Sequence, residues 1–159
     1  MTITIAVNTE HIHNLDLSPF ESVISPILSE GVIASSEQQL NFAIDYQQDP
    51  QDPRELSEIP ELRLWFICLD SRYPWLPFLL NWKDGELSRY TAMLVPHQFH
   101  RTEGIQYNPE ALEIFLMHKI FVLRDWLKKQ NISSKSRLMS MSQMLGYDLT
   151  EEFFVSIPY

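Results

Sequence analysis

Cysteine is almost absent from this sequence, and its scarcity excludes several kinds of site. The single cysteine, Cys68, has no partner for an internal disulfide and cannot by itself hold structural zinc or an iron–sulfur cluster. It lies in an apolar segment, where a thiol behaves as a small hydrophobic group. We therefore expect no cofactor bound through cysteine.

Glycine and long apolar runs are also scarce. With only 4 glycines in the chain, no glycine-rich loop is available to cradle a phosphate group. No run approaches the roughly 18–20 consecutive apolar residues of a membrane span. The first residues also lack the basic region of a signal peptide. These features predict a cytoplasmic protein with no bound cofactor and no membrane insertion.

Positive charge is limited as well, since 12 lysines and arginines face 21 acidic residues, for a net charge of −9. The excess of acid is concentrated in residues 1–61, whereas residues 62–159 are nearly neutral. Binding to a phosphate backbone needs clustered basic side chains, so a nucleic-acid partner is not expected. An acidic first half favours a basic protein partner instead.

Four segments have the patterns of β-strands. Residues 2–7 alternate β-branched and small residues, which predicts a strand. From Leu40 to Tyr46, apolar side chains recur at every second position, which predicts a second strand with one buried face. Leu62 to Leu69 is apolar and aromatic, which predicts a central strand buried on both faces. Glu86 to Val95 fits a helix or a strand, and the Asp-Gly turn before it favours the strand of a hairpin.

Helices are predicted mainly in the last third of the chain. A short helix is expected from Ser18 until Gly31. Asn108 caps a long helix at about 109–130, and shorter helices follow at about 134–145 and after Asp148. The chain is therefore predicted to be a single α+β domain, residues 1–159, in which an antiparallel β-sheet is covered by the C-terminal helices.

One spacing suggests a metal site. His97, His100 and Glu103 are three residues apart, and a metal-dependent enzyme built on them is the alternative function. Zinc sites need three or four ligands in tight geometry, and Pro96 and Gly104 make this segment look like a loop rather than a ligand-presenting helix. Neither a metal site nor a catalytic residue is therefore expected.

The segment from Tyr73 to Trp82 contains two prolines and several aromatic residues. Prolines prevent an ordinary central strand or an unbroken helix, and aromatic side chains held in this way lose little entropy on binding. Core packing and partner binding both remain open for this segment. The expected partner-binding residues, on this segment and on the Pro96–Asn108 loop, are Tyr73, Trp75, Trp82, His97, Gln98 and Tyr107.

Several motifs together resemble one known family. They are Tyr73-Pro-Trp-Leu-Pro77, Gly85-Glu-Leu-Ser-Arg-Tyr90, the stretch from Ala92 to Phe99, and the stretch from Glu103 to Glu113. They are similar to the chlororespiratory reduction 6 family of cyanobacteria and chloroplasts, with a family-like core at about 64–146.

The resemblance implies a function. Members of that family are soluble accessory factors for assembly of the photosynthetic NAD(P)H dehydrogenase-like complex. The resemblance implies a non-catalytic assembly factor, or chaperone, in the cytoplasm of a cyanobacterium. Its client would be the small iron–sulfur subunit of the complex, bound while the hydrophilic arm matures. A permanent subunit of some complex is a further alternative.

Overall fold

Helices outnumber strands in this fold. The computed structural model describes residues 1–157, and within them it has an α+β fold, which confirms the predicted class. The strands are β1 (Ile3–Asn8), β2 (Leu40–Asp45), β3 (His97–His100) and β4 (Gly104–Tyr107). The helices are α1 (Thr9–His13), α2 (Ser18–Glu30), α3 (Pro60–Arg72), α4 (Glu86–Leu94), α5 (Pro109–Lys129), α6 (Lys135–Met144) and α7 (Glu151–Ser156).

The strands form two separate pairs rather than one sheet. β1 and β2 are parallel, with Ile5 opposite Phe42, and β3 and β4 are antiparallel. Antiparallel pairing, which was predicted for the sheet, therefore occurs only in the second pair. The first pair is parallel because the chain returns to it through α1 and α2, and such a crossover brings the next strand back in the same direction.

The segment Leu62 to Leu69, predicted as a central strand, is part of helix α3, so that prediction was wrong. Buried positions follow a helical spacing of three and four residues, with Leu62, Trp65, Phe66 and Leu69 facing the core. The neighbouring Leu64 and Ile67 are exposed but apolar, and they hid this period in the sequence. Pro60 at the first helical position suits a helix start.

The segment Glu86 to Val95 is also a helix, α4, and not the favoured strand. Gly85 precedes it with a φ of 81°, in the left-handed region that glycine adopts without strain. The Asp-Gly turn therefore leads into a helix. Leu87, Tyr90 and Thr91 are buried at helical spacing.

Local capping signals placed the other main helices correctly. The Oδ1 atom of Asn108 accepts a hydrogen bond from the backbone N–H of Ala111 at 3.0 Å, at the start of α5. Gly31 ends α2 with a φ of 67°. The predicted helices near 134–145 and after Asp148 are α6 and α7.

A buried ionic network joins three helices. Lys119 of α5 is 0% exposed, and its ammonium donates to Asp70 of α3 and, at 3.0 Å, to the carbonyl oxygen of Pro74. The Tyr90 hydroxyl of α4 donates to the same Asp70 oxygen at 2.6 Å. The network therefore fixes α3, α4 and α5 against one another at one point.

The proton affinity of the buried Tyr90 hydroxyl depends on folding. Burial, followed by the negative charge of Asp70, raises the pKa of Tyr90 well above its ordinary value. The folded state then holds this proton more tightly than the unfolded state. The stability that this difference provides is fully present below about pH 10, the pKa of a tyrosine in the unfolded chain. It falls as the pH rises above that value.

Ultraviolet titration of tyrosine ionisation, combined with denaturation at several alkaline pH values, measures this effect. The variant Tyr90→Phe should lose stability less steeply above pH 10 than the wild type. Equal slopes for the two proteins would contradict the assignment. Tyr147→Phe is a suitable control, because Tyr147 is only partly buried.

Candidate functional site

Residues 97–107 form a β-hairpin rather than the loop that was predicted there. His97 pairs with Tyr107 and Phe99 pairs with Ile105. Three residues connect the strands, and Gly104 follows them with a φ of 75°. A short hairpin loop followed by a left-handed glycine is a common arrangement. The alternation around Gly104 was the sequence signal that could have identified it.

The two faces of this hairpin differ in chemistry. Side chains alternate along a strand, so His97, Phe99, Ile105 and Tyr107 share one face, and Gln98, His100 and Gln106 share the other. The first face is aromatic and apolar, whereas the second is polar and exposed. The apolar face covers a cavity.

That cavity is a groove of about 520 Å³, and we call it the hairpin groove. It lies between the hairpin, helix α4, the end of α6 and a 3₁₀ turn at Leu56–Glu58. Phe99 is 44% exposed at its mouth, so the groove opens to solvent. Its lining residues are Glu55, Leu56, Ser57, Ser88, Arg89, Ala92, Met93, Phe99, Ile105, Tyr107, Met144 and Leu145.

Arg63 holds the base of the hairpin against the groove wall. Its guanidinium donates to the carbonyl oxygens of Ser57 at 2.9 Å and Ala92 at 2.8 Å. The same nitrogen lies 3.2 Å from Nδ1 of His97. Burial lowers the pKa of Arg63. One cation thus links the 3₁₀ turn, α4 and β3.

His97 and Tyr107 complete this attachment. Nε2 of His97 lies 3.1 Å from the hydroxyl of Ser57, and its Nδ1 lies 2.9 Å from the carbonyl oxygen of Val95. The Tyr107 hydroxyl donates to the carbonyl oxygen of Ser88 at 3.3 Å. The base of the hairpin is therefore fixed, whereas Phe99 and Ile105 nearer the turn lie at the open side of the groove.

The Ser57–His97 pair has the spacing of a nucleophile and its base, but the contacts of the His97 ring differ from those of the histidine in a catalytic triad. A backbone carbonyl, rather than a carboxylate, faces the other ring nitrogen. These contacts suit a structural attachment.

His97, His100 and Glu103 do not form a metal site. His97 contacts Ser57 and Arg63, the Nδ1 of His100 lies 3.0 Å from the Thr102 hydroxyl, and Glu103 accepts from Gln106. Within residues 1–157, no three histidine, cysteine or acidic side chains come together in a way that could hold a metal ion.

The rim of the groove is acidic on one side. Residues 45–61 carry six carboxylates and one arginine, a net charge of −5. Of this segment, Glu55 lies in the groove lining, and Glu58 lies in the adjoining 3₁₀ turn. On the groove wall, Arg89 lies 3.2 Å from the carboxylate of Glu86, which is buried and whose pKa is raised by that burial. That pairing balances the positive charge of Arg89.

The aromatic segment 73–82 is largely packed into the protein. Trp75 stacks on Trp126 with ring centroids 4.6 Å apart, and both rings are only partly buried. Trp82 is 7% exposed, and its indole N–H donates to the carbonyl oxygen of Pro77 at 2.8 Å. The Tyr73 hydroxyl lies 3.4 Å from Glu21.

The structure therefore divides the six residues predicted to bind a partner. Tyr107 lines the hairpin groove, His97 attaches the base of the hairpin to Ser57 beside it, and Gln98 lies on the outer face of the same hairpin. Tyr73, Trp75 and Trp82 lie outside the described lining of that groove. Sequence reasoning did not identify Phe99, Ile105 and Arg63 as part of a site.

Comparison with known proteins agrees with the resemblance seen in the sequence. The family model for chlororespiratory reduction 6 matches residues 7–156, which is nearly the whole chain. The match includes much of the acidic first half, where the motifs had suggested no likeness. It is consistent with a role in assembly of the NAD(P)H dehydrogenase-like complex. No solved structure matches this chain. No helix in residues 1–157 is long and apolar enough to cross a membrane.

Proposed function

Because this chain belongs to the chlororespiratory reduction 6 family, we propose that it is a non-catalytic assembly factor for the photosynthetic NAD(P)H dehydrogenase-like complex. It binds the small iron–sulfur subunit of the hydrophilic arm while that subunit matures, in the cytoplasm of a cyanobacterium. The family match over residues 7–156 carries this proposal.

The composition of the chain supports a holding role. One cysteine cannot supply the ligands of an iron–sulfur cluster, so the client's own cysteines must do so. A maturing subunit exposes apolar surface until it docks, and that surface promotes aggregation. An assembly factor that covers it keeps the subunit soluble.

Two surfaces are proposed to contact the client. The first is the hairpin, with His97, Gln98 and Tyr107 and the groove beneath it. The second is the partly buried pair of Tyr73 and Trp75. Trp82 is buried, and its hydrogen bond to the carbonyl oxygen of Pro77 helps to hold the segment that carries this second surface.

Deletion of the gene tests the proposal. We expect the subunits of the hydrophilic arm to fall well below wild-type levels and incomplete intermediates to accumulate, because an unprotected client is degraded or aggregates. Blotting of separated native complexes measures both. Normal levels of the complex would contradict the proposal.

Fractionation separates this function from that of a permanent subunit. An assembly factor leaves the finished complex, so the protein should migrate with intermediates. Stoichiometric co-migration with the mature complex would show that it is a structural subunit instead.

A further inference from the structure

We infer that the hairpin groove binds an amphipathic segment of the client, in which apolar side chains enter the groove and lysine or arginine side chains meet the acidic rim. This inference rests on the proposed function and adds the chemistry of the segment that is recognised.

The apolar half of this chemistry follows from the groove lining. Its volume of about 520 Å³ lies within the range of ligand pockets, about 300–1,000 Å³. Met93 and Met144 line it, and methionine side chains adapt to differently shaped apolar partners. Phe99 and Ile105 are a cross-strand pair at the mouth and remain substantially exposed. Exposed aromatic residues beside a groove are typical anchors for a partner.

The basic side chains of the bound segment are inferred from the charge around the groove. Arg89 is balanced by Glu86, whereas Glu55 in the groove lining and Glu58 in the adjoining 3₁₀ turn add two carboxylates. Glu55 and Glu58 are held in place, because each carboxylate accepts the backbone N–H of the other residue. Carboxylates fixed at a rim attract a basic partner and set its orientation.

A polypeptide segment fits these features better than a small molecule does. A molecule confined to the groove would meet Glu55 but would not reach Glu58, which lies outside the described lining. A segment with apolar residues on one side and basic residues at its end reaches the groove and both of these carboxylates.

A synthetic peptide tests the inference directly. The probe is a fluorescein-labelled peptide of about 14 residues, built from leucine and lysine at helical spacing, and its sibling carries glutamate in place of lysine. Fluorescence polarisation measures its binding to the purified full chain. The lysine peptide should bind at least about tenfold more tightly than its sibling, and its affinity should fall as salt rises.

Two phenylalanines provide a matched pair of variants. Phe99→Ser should weaken binding of the lysine peptide about tenfold, since an aromatic anchor contributes more than 1 kcal/mol. Phe121→Ser should leave it unchanged, because Phe121 lies on α5 outside the groove and is similarly exposed, 40% against 44%. Ile105→Ser is a second groove variant, and thermal melting confirms that all three proteins fold.

Equal binding by the two phenylalanine variants would overturn the inference, as would equal affinity for the two peptides. Dodecanoate is the small-molecule probe. If the wild type binds dodecanoate and neither peptide, the groove is a small-molecule site and the inference is wrong.

Client capture separates this inference from the proposed function. The purified small iron–sulfur subunit should be captured by the wild type and by Phe121→Ser, and poorly by Phe99→Ser. Equal capture by all three would overturn the groove assignment and leave the assembly role intact. Failure of the wild type itself to capture the subunit would overturn the proposed client, and the inference with it.

Discussion

Replacing Asp70 by alanine is expected to lower the free energy of unfolding by about 3–5 kcal/mol. The change leaves the fully buried ammonium of Lys119 with the carbonyl oxygen of Pro74 but without a carboxylate. It also removes the acceptor of the Tyr90 hydroxyl. An uncompensated buried charge costs much more than an ion pair contributes at the surface.

The loss should also depend on pH in a defined direction. Burial lowers the pKa of Lys119, and Asp70 opposes that effect. Without Asp70, burial still lowers the pKa of Lys119 and no carboxylate opposes it. The folded variant therefore binds the ammonium proton of Lys119 less tightly than the unfolded chain does. Its lost stability is therefore large near neutral pH and decreases as the pH rises toward the ordinary lysine pKa of 10.5.

Urea denaturation at several pH values measures both effects. Asp125→Ala is the matched control, because Asp125 is exposed and its pair with Arg124 is long, at 3.3 Å. That control should cost less than about 0.5 kcal/mol. The double variant Asp70→Asn with Lys119→Met removes both charges and should recover much of the loss. A double variant as unstable as Asp70→Ala would show that the buried charge is not the cause.

Replacing Arg63 by methionine is expected to cost about 3 kcal/mol of stability and to loosen the hairpin groove. The carbonyl oxygens of Ser57 and Ala92 both lose a charged donor, and hydrogen bonds to charged groups contribute about 1.5–3 kcal/mol each. Methionine keeps most of the aliphatic packing, so the loss of stability measures the contribution of the guanidinium group. His97 also loses the neighbour that fixes it against α4.

Amide hydrogen exchange locates this effect in the structure. Protection should fall in β3 and β4 and at Asn108, whose N–H closes the hairpin on the Pro96 carbonyl oxygen at 2.9 Å. Binding of the lysine peptide should weaken in parallel. Arg101→Met is the control, since Arg101 lies exposed in the hairpin turn. Unchanged exchange in the hairpin of Arg63→Met would contradict the assigned role.

The roles of Arg63 and Lys119 escaped prediction because their contacts are long-range. Arg63 bonds to Ala92, 29 residues away, and Lys119 bonds to Asp70, 49 residues away. In sequence, Arg63 is a single charge in an apolar segment and Lys119 interrupts an apolar stripe. Their burial depends on which helices pack together, and no local pattern contains that information.

The sequence by itself determined the features that depend on neighbouring residues. Asn108 and Gly31 act within one helical turn, so they place the start of α5 and the end of α2. The alternation in residues 2–7 and from Leu40 determined β1 and β2, and the motifs identified the family.

Only the tertiary structure decided how these elements are arranged around the hairpin groove. An apolar run such as Leu62 to Leu69 is compatible with a buried strand or with a helix, and packing against β2 and α4 selected the helix. The hairpin is too short to be stable alone, so its place over the groove depends on Arg63 and Ser57. Both the helix at Leu62 to Leu69 and the position of the hairpin depend on burial and on long-range hydrogen bonds, which form only when the whole chain has folded.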